Sequence, residues 1–189
     1  GLTRDWVAGM KVITGSGALL DCNAGLIKNA TGYDFRHLMI GSEGTLGLIG
    51  ELDMHLAPQP EPQIVMVVGV PSVVDLLDIL HAFSDKLTLS AFEFFSDLAL
   101  QKVQAHRKLP APLANRVDNY ALLEFDESEL AKAEEAFALC MEEGWLVDGV
   151  ISQSQAQAAA LWQLREGISE SLAPYTPYKN DLSVRISEV

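Results

Sequence analysis

Two groups of residues have types and spacings that could do chemistry. Residues 28–50 read KNATGYDFRHLMIGSEGTLGLIG and hold five glycines. An ordered glycine gives up more conformational entropy than any other residue, so such a cluster implies tight turns or a close approach to the backbone. The run contains no G-x-x-x-x-G-K-[ST] phosphate loop, and Gly41, Gly44 and Gly47 recur every third residue, which is not dinucleotide-fold spacing. It can present consecutive main-chain N–H groups to an anionic or heteroaromatic ligand, with no Cβ in the way. A loop-rich connector is the competing reading. The second group is LWQLREGIS at 161–169 together with Lys179. Arg165 and Ser169 stand four apart and share a helix face. A guanidinium binds a carboxylate bidentately, a hydroxyl adds a third bond and an ammonium adds a point charge. The competing reading is a solvated Arg beside a surface serine. His37, His55, His81 and His106 show none of the spacings of a metal site, so no metal ligands are assigned.

The elements that must position these residues fall on either side of LAPQPEPQ (56–63), where three prolines can neither pair in a sheet nor continue a helix. Before it, 10–21 reads as a hairpin about a Gly-Ser-Gly turn, 31–41 holds a short helical turn, and 44–58 contains a strand. After it, strands are expected at 63–70, 87–95, 119–125, 146–152 and 181–187. Helices are expected at 71–83, 96–107, 126–144 and 154–172. Ser72 and Ser96 are placed as N-caps, and Asp126 with Glu129 has capping-box spacing. The order over 63–152 is β-α-β-(α)-β-α-β, an α+β arrangement. It corresponds to a ferredoxin-like antiparallel sheet with helices on one face and one inserted helix.

The formal net charge of −13 opposes a nucleic-acid surface, which needs clustered Lys and Arg. No apolar stretch approaches the ~20 residues of a membrane-spanning helix. Cys22 and Cys140 lie far apart and read as reduced core thiols. The sequence opens on GLTRDWVAG without Met, which suits an excised piece.

The motif K-N-x-T-G-Y-D-[LF]-x-x-L-x-I-G-S-E-G-T-L-G over 28–47 resembles the flavin-binding segment of FAD-linked oxidases of the vanillyl-alcohol oxidase superfamily, D-2-hydroxy-acid dehydrogenase branch. GLTRDWVAGMKVITGSGALLD, LSAFEFFSDLALQKVQAH, WQLREGIS and YKNDLS resemble further segments of that branch, so the likeness runs along the whole chain. The resemblance implies that 1–58 is the C-terminal portion of a FAD-binding domain and 63–189 a truncated substrate domain. It implies that Glu43, Gly44, Thr45, Leu46, Gly47, Leu48 and Ile49 contact FAD, and that Arg165, Ser169 and Lys179 bind the carboxylate of a D-2-hydroxy acid. Gly50 stands where the family commonly has Thr.

The family's base and metal-binding histidines, and its pyrophosphate loop, match nothing in these 189 residues. The resemblance thus puts the parent's metal ion, if one is used, on residues outside this chain, and the chain alone is expected to be inactive. It implies a cytoplasmic protein, with peripheral attachment to the inner membrane and homodimerisation left open, as are the electron acceptor and the particular hydroxy acid. The alternative is a stand-alone ferredoxin-like module for small-molecule binding or dimerisation, without catalysis.

Overall fold

A computed structural model describes residues 2–22, 26, 28–180 and 182–185. The chain forms two compact units, Gly1–Gln59 and Pro60–Val189.

In the first unit a short helix α1 (Thr3–Trp6) leads into strands β1 (Val7–Thr14) and β2 (Leu19–Cys22); helix α2 (Phe35–Met39) and strand β3 (Gly47–Met54) follow. The hairpin expected at 10–21 is present, with Met10 opposite Cys22, Ile13 opposite Leu19, and Gly17 at φ +81° in its turn. The sheet order is β2-β1-β3, all antiparallel. Val7, Met10, Val12, Cys22 and Met39 make a small core to which β3 contributes no buried residue.

Asp34, inside the glycine-rich motif, does structural work. Its carboxylate caps α2 by accepting from the Arg36 N–H at 3.0 Å. The Arg36 guanidinium in turn donates to the carbonyls of Val7 at 3.0 Å and Ala8 at 2.6 Å, tying α2 to β1. The Arg36 side-chain hydrogen bond holds the Asp34 carboxyl below the usual range. A lowered folded-state pKa contributes stability that is present above the unfolded value and lost as pH falls through the folded one. Asp34→Asn is therefore expected to be less stable than wild type at pH 6, with the difference shrinking toward pH 3, as read by thermal unfolding at the two pH values.

The second unit alternates strands and helices: β4 (Gln63–Val70), α3 (Leu76–Ser84), β5 (Leu89–Ser96), α4 (Asp97–Arg107), β6 (Asn119–Asp126), α5 (Leu130–Glu142), β7 (Asp148–Ile151) and α6 (Gln155–Leu172). The sheet order is β5-β6-β4-β7, antiparallel throughout, the order of a ferredoxin-like split unit. Ser72, Ser96 and Ser154 accept from the N–H groups of Val74, Ala99 and Gln157, so each caps the element that follows it.

Two expectations need correction. Helices cover both faces of the sheet, not one. Ile64, Met66, Val68, Leu123 and Phe125 pack with α3 and α5, whereas Val65, Val67, Phe95, Tyr120 and Leu122 pack with α4 and α6. Strand β4 is buried from Ile64 to Val70 without alternation, so both of its faces require cover. The capping box of Asp126 and Glu129 does not form, because a 3₁₀ turn (Glu127–Glu129) precedes α5 and Asp126 makes no side-chain cap bond. Glu129 accepts instead from the Thr88 N–H at 3.0 Å and pairs with Lys132 at 3.1 Å. The strand expected at 181–187 falls partly outside the described residues, and 182–185 form no strand.

Gly167 on α6 sets how closely α4 approaches. A Cβ there would meet Val103 Cγ1 at 3.1 Å and Arg107 Nε at 3.2 Å. Both cysteines are free and buried. Burial, together with the nearby Asp78 charge, pushes the Cys140 thiol up to about 11. Because the thiolate is the reactive form, Cys140 should resist iodoacetamide at pH 8 in the native protein and react fully in urea, as followed by mass spectrometry.

Candidate functional site

The carboxylate-binding candidates sit on the sheet face covered by α4 and α6. Alternation along β5 and β6 points Glu93, Phe95, Tyr120, Leu122 and Glu124 to that face. The apolar members form core with Leu164 and Ala158 of α6. The two carboxylates, which no local sequence pattern marks, bind α6 directly. Trp162 Nε1 donates to Glu124 Oε2 at 2.7 Å, and one turn later Arg165 Nε donates to Glu93 Oε2 at 3.0 Å. Arg165 Nη2 lies 2.9 Å from the same oxygen, with both side chains a little over one-third exposed.

A 3₁₀ turn (Ala173–Tyr175) reverses the chain after α6. Lys102 of α4 anchors that turn, its Nζ lying 4.1 Å from the centre of the Tyr175 ring. Lys179 thereby returns to Ser169, and its Nζ donates to Ser169 Oγ at 2.6 Å. Since Oγ accepts from Lys179, the hydroxyl proton remains available to donate. Ser169 and Lys179 are thus joined on exposed surface, and Ser169 shares a helix face with the half-buried Arg165 one turn earlier. One residue on, Glu170 pairs with Arg107, whose hydrogen bond holds the Glu170 carboxyl below its ordinary value and joins α6 to α4.

The cofactor-contact candidates lie in the first unit. Ser42–Thr45 is a tight turn with positive φ at Glu43 (+50°) and Gly44 (+79°), closed by Thr45 N–H to Ser42 O at 3.0 Å. A Cβ at Gly44 would meet nothing within 4 Å. Gly47 differs. A Cβ there would come 2.7 Å from Val12 Cγ1 and 2.8 Å from the Ile13 carbonyl oxygen, so β1 itself demands glycine. Gly50 is the extra residue of a bulge, since Lys11 faces Glu51 while Val12 faces Ile49. A Thr-sized side chain is thus not required there by the pairing. Residues 43–46, 48 and 49 are exposed, as are both apolar faces of β3, which forms an edge of its sheet. Among the described residues no cluster of three or more His, Cys, Asp or Glu could hold a metal ion. The four histidines are exposed, and His106 lies 3.7 Å from Glu170.

An antiparallel α+β unit with Arg165 and Ser169 on its last helix and Lys179 after it, and a separate unit with a glycine-containing turn, define the class. The sequence pattern of the family described as FAD linked oxidases, C-terminal domain, matches residues 59–189, and the chain belongs to that family. It is 57% identical to a D-2-hydroxyglutarate dehydrogenase of Xanthomonas citri pv. viticola, the match covering 99% of this chain and 40% of the relative. It is 53% identical to a protein of the same name from Stutzerimonas stutzeri, covering all of this chain and 41% of the relative. The chain therefore spans about two-fifths of the length of these curated relatives. Among solved structures, 4-ethylphenol oxidase from Gulosibacter chungangensis superposes with a TM-score of 0.54 at 14% identity, over 92% of this chain and 41% of that one. An alkyldihydroxyacetonephosphate synthase gives 0.53 at 15% identity, over 91% of this chain and 32% of that one. At these identities the likeness is one of fold.

Proposed function

We propose that the protein containing this chain oxidises a D-2-hydroxy acid of the D-2-hydroxyglutarate class to the 2-oxo acid. The observation that supports this reading is the Lys179–Ser169 hydrogen bond on the helix face that Ser169 shares with Arg165, in a chain of this family. Arg165 supplies the planar fork for a carboxylate, Ser169 donates its free proton, and Lys179 neutralises the remaining charge. With the carboxylate held at three points, rotation about the Cα–carboxylate bond is restricted and the Cα–H keeps one orientation. Residues 43–49 are read as the part of this chain that lies against FAD, offering main chain and the exposed Leu46, Leu48 and Ile49. Bound FAD would supply the two-electron acceptor that the reaction requires.

The test is a substrate screen on the full-length protein with an artificial electron-accepting dye. Turnover of D-2-hydroxyglutarate well above that of D-lactate and glycolate, with flavin absorbance co-purifying, is the expected result. Flavin-containing protein that turns over none of the three acids would overturn the reading.

A further inference from the structure

We propose that Glu93 is a positioning residue for Arg165, holding the guanidinium from its side so that its far end is presented to the substrate carboxylate. This rests on the reading of Arg165 as a carboxylate ligand. The geometry is specific. A guanidinium has two edges on which adjacent N–H groups can take a carboxylate: a side edge, Nε with one terminal nitrogen, and an end edge made by both terminal nitrogens. Glu93 Oε2 occupies the side edge, 3.0 Å from Nε and 2.9 Å from Nη2. No described residue accepts from Nη1, so the end edge is free for a second carboxylate.

Glu93 is well suited to this hold. It projects from the centre of β5, paired opposite Leu122 of β6, and the Phe92 and Phe95 side chains near it are packed into the two cores. Its backbone is therefore fixed. The neighbouring strand uses Glu124 in the same way to hold Trp162, one turn earlier on α6. The helix is thus referenced to the sheet at two successive turns, and the Arg165 side chain, with four rotatable bonds, is reduced to one arrangement before any ligand arrives. Preorganisation of this kind improves affinity because the ordering entropy is already spent. The Glu93 charge opposes an incoming anion, but the pair is over one-third exposed and solvent screens that repulsion.

The experiment is calorimetric titration of D-2-hydroxyglutarate into the full-length protein carrying Glu93→Ala, Glu93→Gln, Arg165→Ala, or both alanines. Glu93→Ala is expected to weaken binding roughly tenfold, the order set by one charge-assisted hydrogen bond. Glu93→Gln keeps an acceptor at the same reach and should stay within about threefold of wild type. On the Arg165→Ala background, Glu93→Ala should cause no further loss, because its effect runs through that arginine. A purely structural role would weaken both backgrounds alike and would not be rescued by glutamine. The inference is overturned if Glu93→Ala binds within twofold of wild type, if glutamine is as weak as alanine, or if the loss recurs without Arg165. If instead Arg165→Ala itself binds normally, the carboxylate reading of the site fails first, and this inference with it.

Discussion

Arg165→Ala in the full-length protein is expected to lower kcat/KM for a D-2-hydroxy acid by about 10²–10³, chiefly through KM, while leaving thermal stability nearly unchanged. The size follows from the bonds removed. A bidentate guanidinium–carboxylate contact comprises two charge-assisted hydrogen bonds, each stronger than a neutral one, and together they are worth ~3–4 kcal/mol of binding. The effect falls on KM because the carboxylate does not react, so its anchor is made equally in ground and transition states. Stability should hardly move, since the Arg165–Glu93 pair is over one-third exposed on each side and such pairs contribute ~0–1 kcal/mol. Arg165→Lys keeps the charge but loses the planar fork and the side edge that Glu93 grips, so it should recover only a small part of the loss. Steady-state kinetics and a thermal melt on the same preparations check both halves. A large fall in melting temperature with KM unaltered would make Arg165 a structural residue.

The distribution of what was legible follows from where the information resides. Strand and helix order over 63–172 could be read because three of the four strand-to-helix transitions are punctuated locally: Ser72, Ser96 and Ser154 cap the elements they precede, and each bond spans three residues or fewer. The second helical layer was signalled as well, by the unbroken apolar run QIVMVVGV, since a strand wetted on one face would alternate. The β-α-β-(α)-β-α-β order by itself implies a single layer, and only the burial of both faces of β4 calls for the second. Glu93 and Glu124 could not be read. A carboxylate in a strand looks like solvent face, and its partner is known only when folding brings residue 165 to residue 93 and residue 162 to residue 124. The capping box failed for a related reason: the spacing of Asp126 and Glu129 was local, but Thr88 on another segment offered Glu129 a competing N–H.

The glycine run shows most directly how one pattern can hide several causes, and Gly47→Ala separates them. Three glycines that look equivalent in sequence are constrained by different things. Gly47 is pressed against β1, where an added Cβ would lie 2.7 Å from Val12 Cγ1 and 2.8 Å from the Ile13 carbonyl oxygen. Val12 is fully buried and the carbonyl belongs to the backbone, so neither can move aside without disturbing the small core around Met10. Overpacking of this kind costs ~1–3 kcal/mol, and Gly47→Ala is expected near the top of that range. Gly44 has open space around it and is constrained only by its φ of +79°, which implies ~1–2 kcal/mol for alanine. Gly50 has neither constraint, its nearest neighbour being the Lys11 carbonyl oxygen at 3.9 Å, so alanine there should change stability by less than ~1 kcal/mol. Urea unfolding of the three variants should therefore rank their losses 47, 44, 50. Flavin content per chain in the full-length protein should fall in the same order if bareness serves the fold first and the cofactor through it. Val12→Ala added to Gly47→Ala should restore only part of the loss, because the Ile13 carbonyl remains in place. A Gly44→Ala protein that unfolds normally yet loses its flavin would show the opposite: that position 44 is kept free of a side chain by the ligand itself.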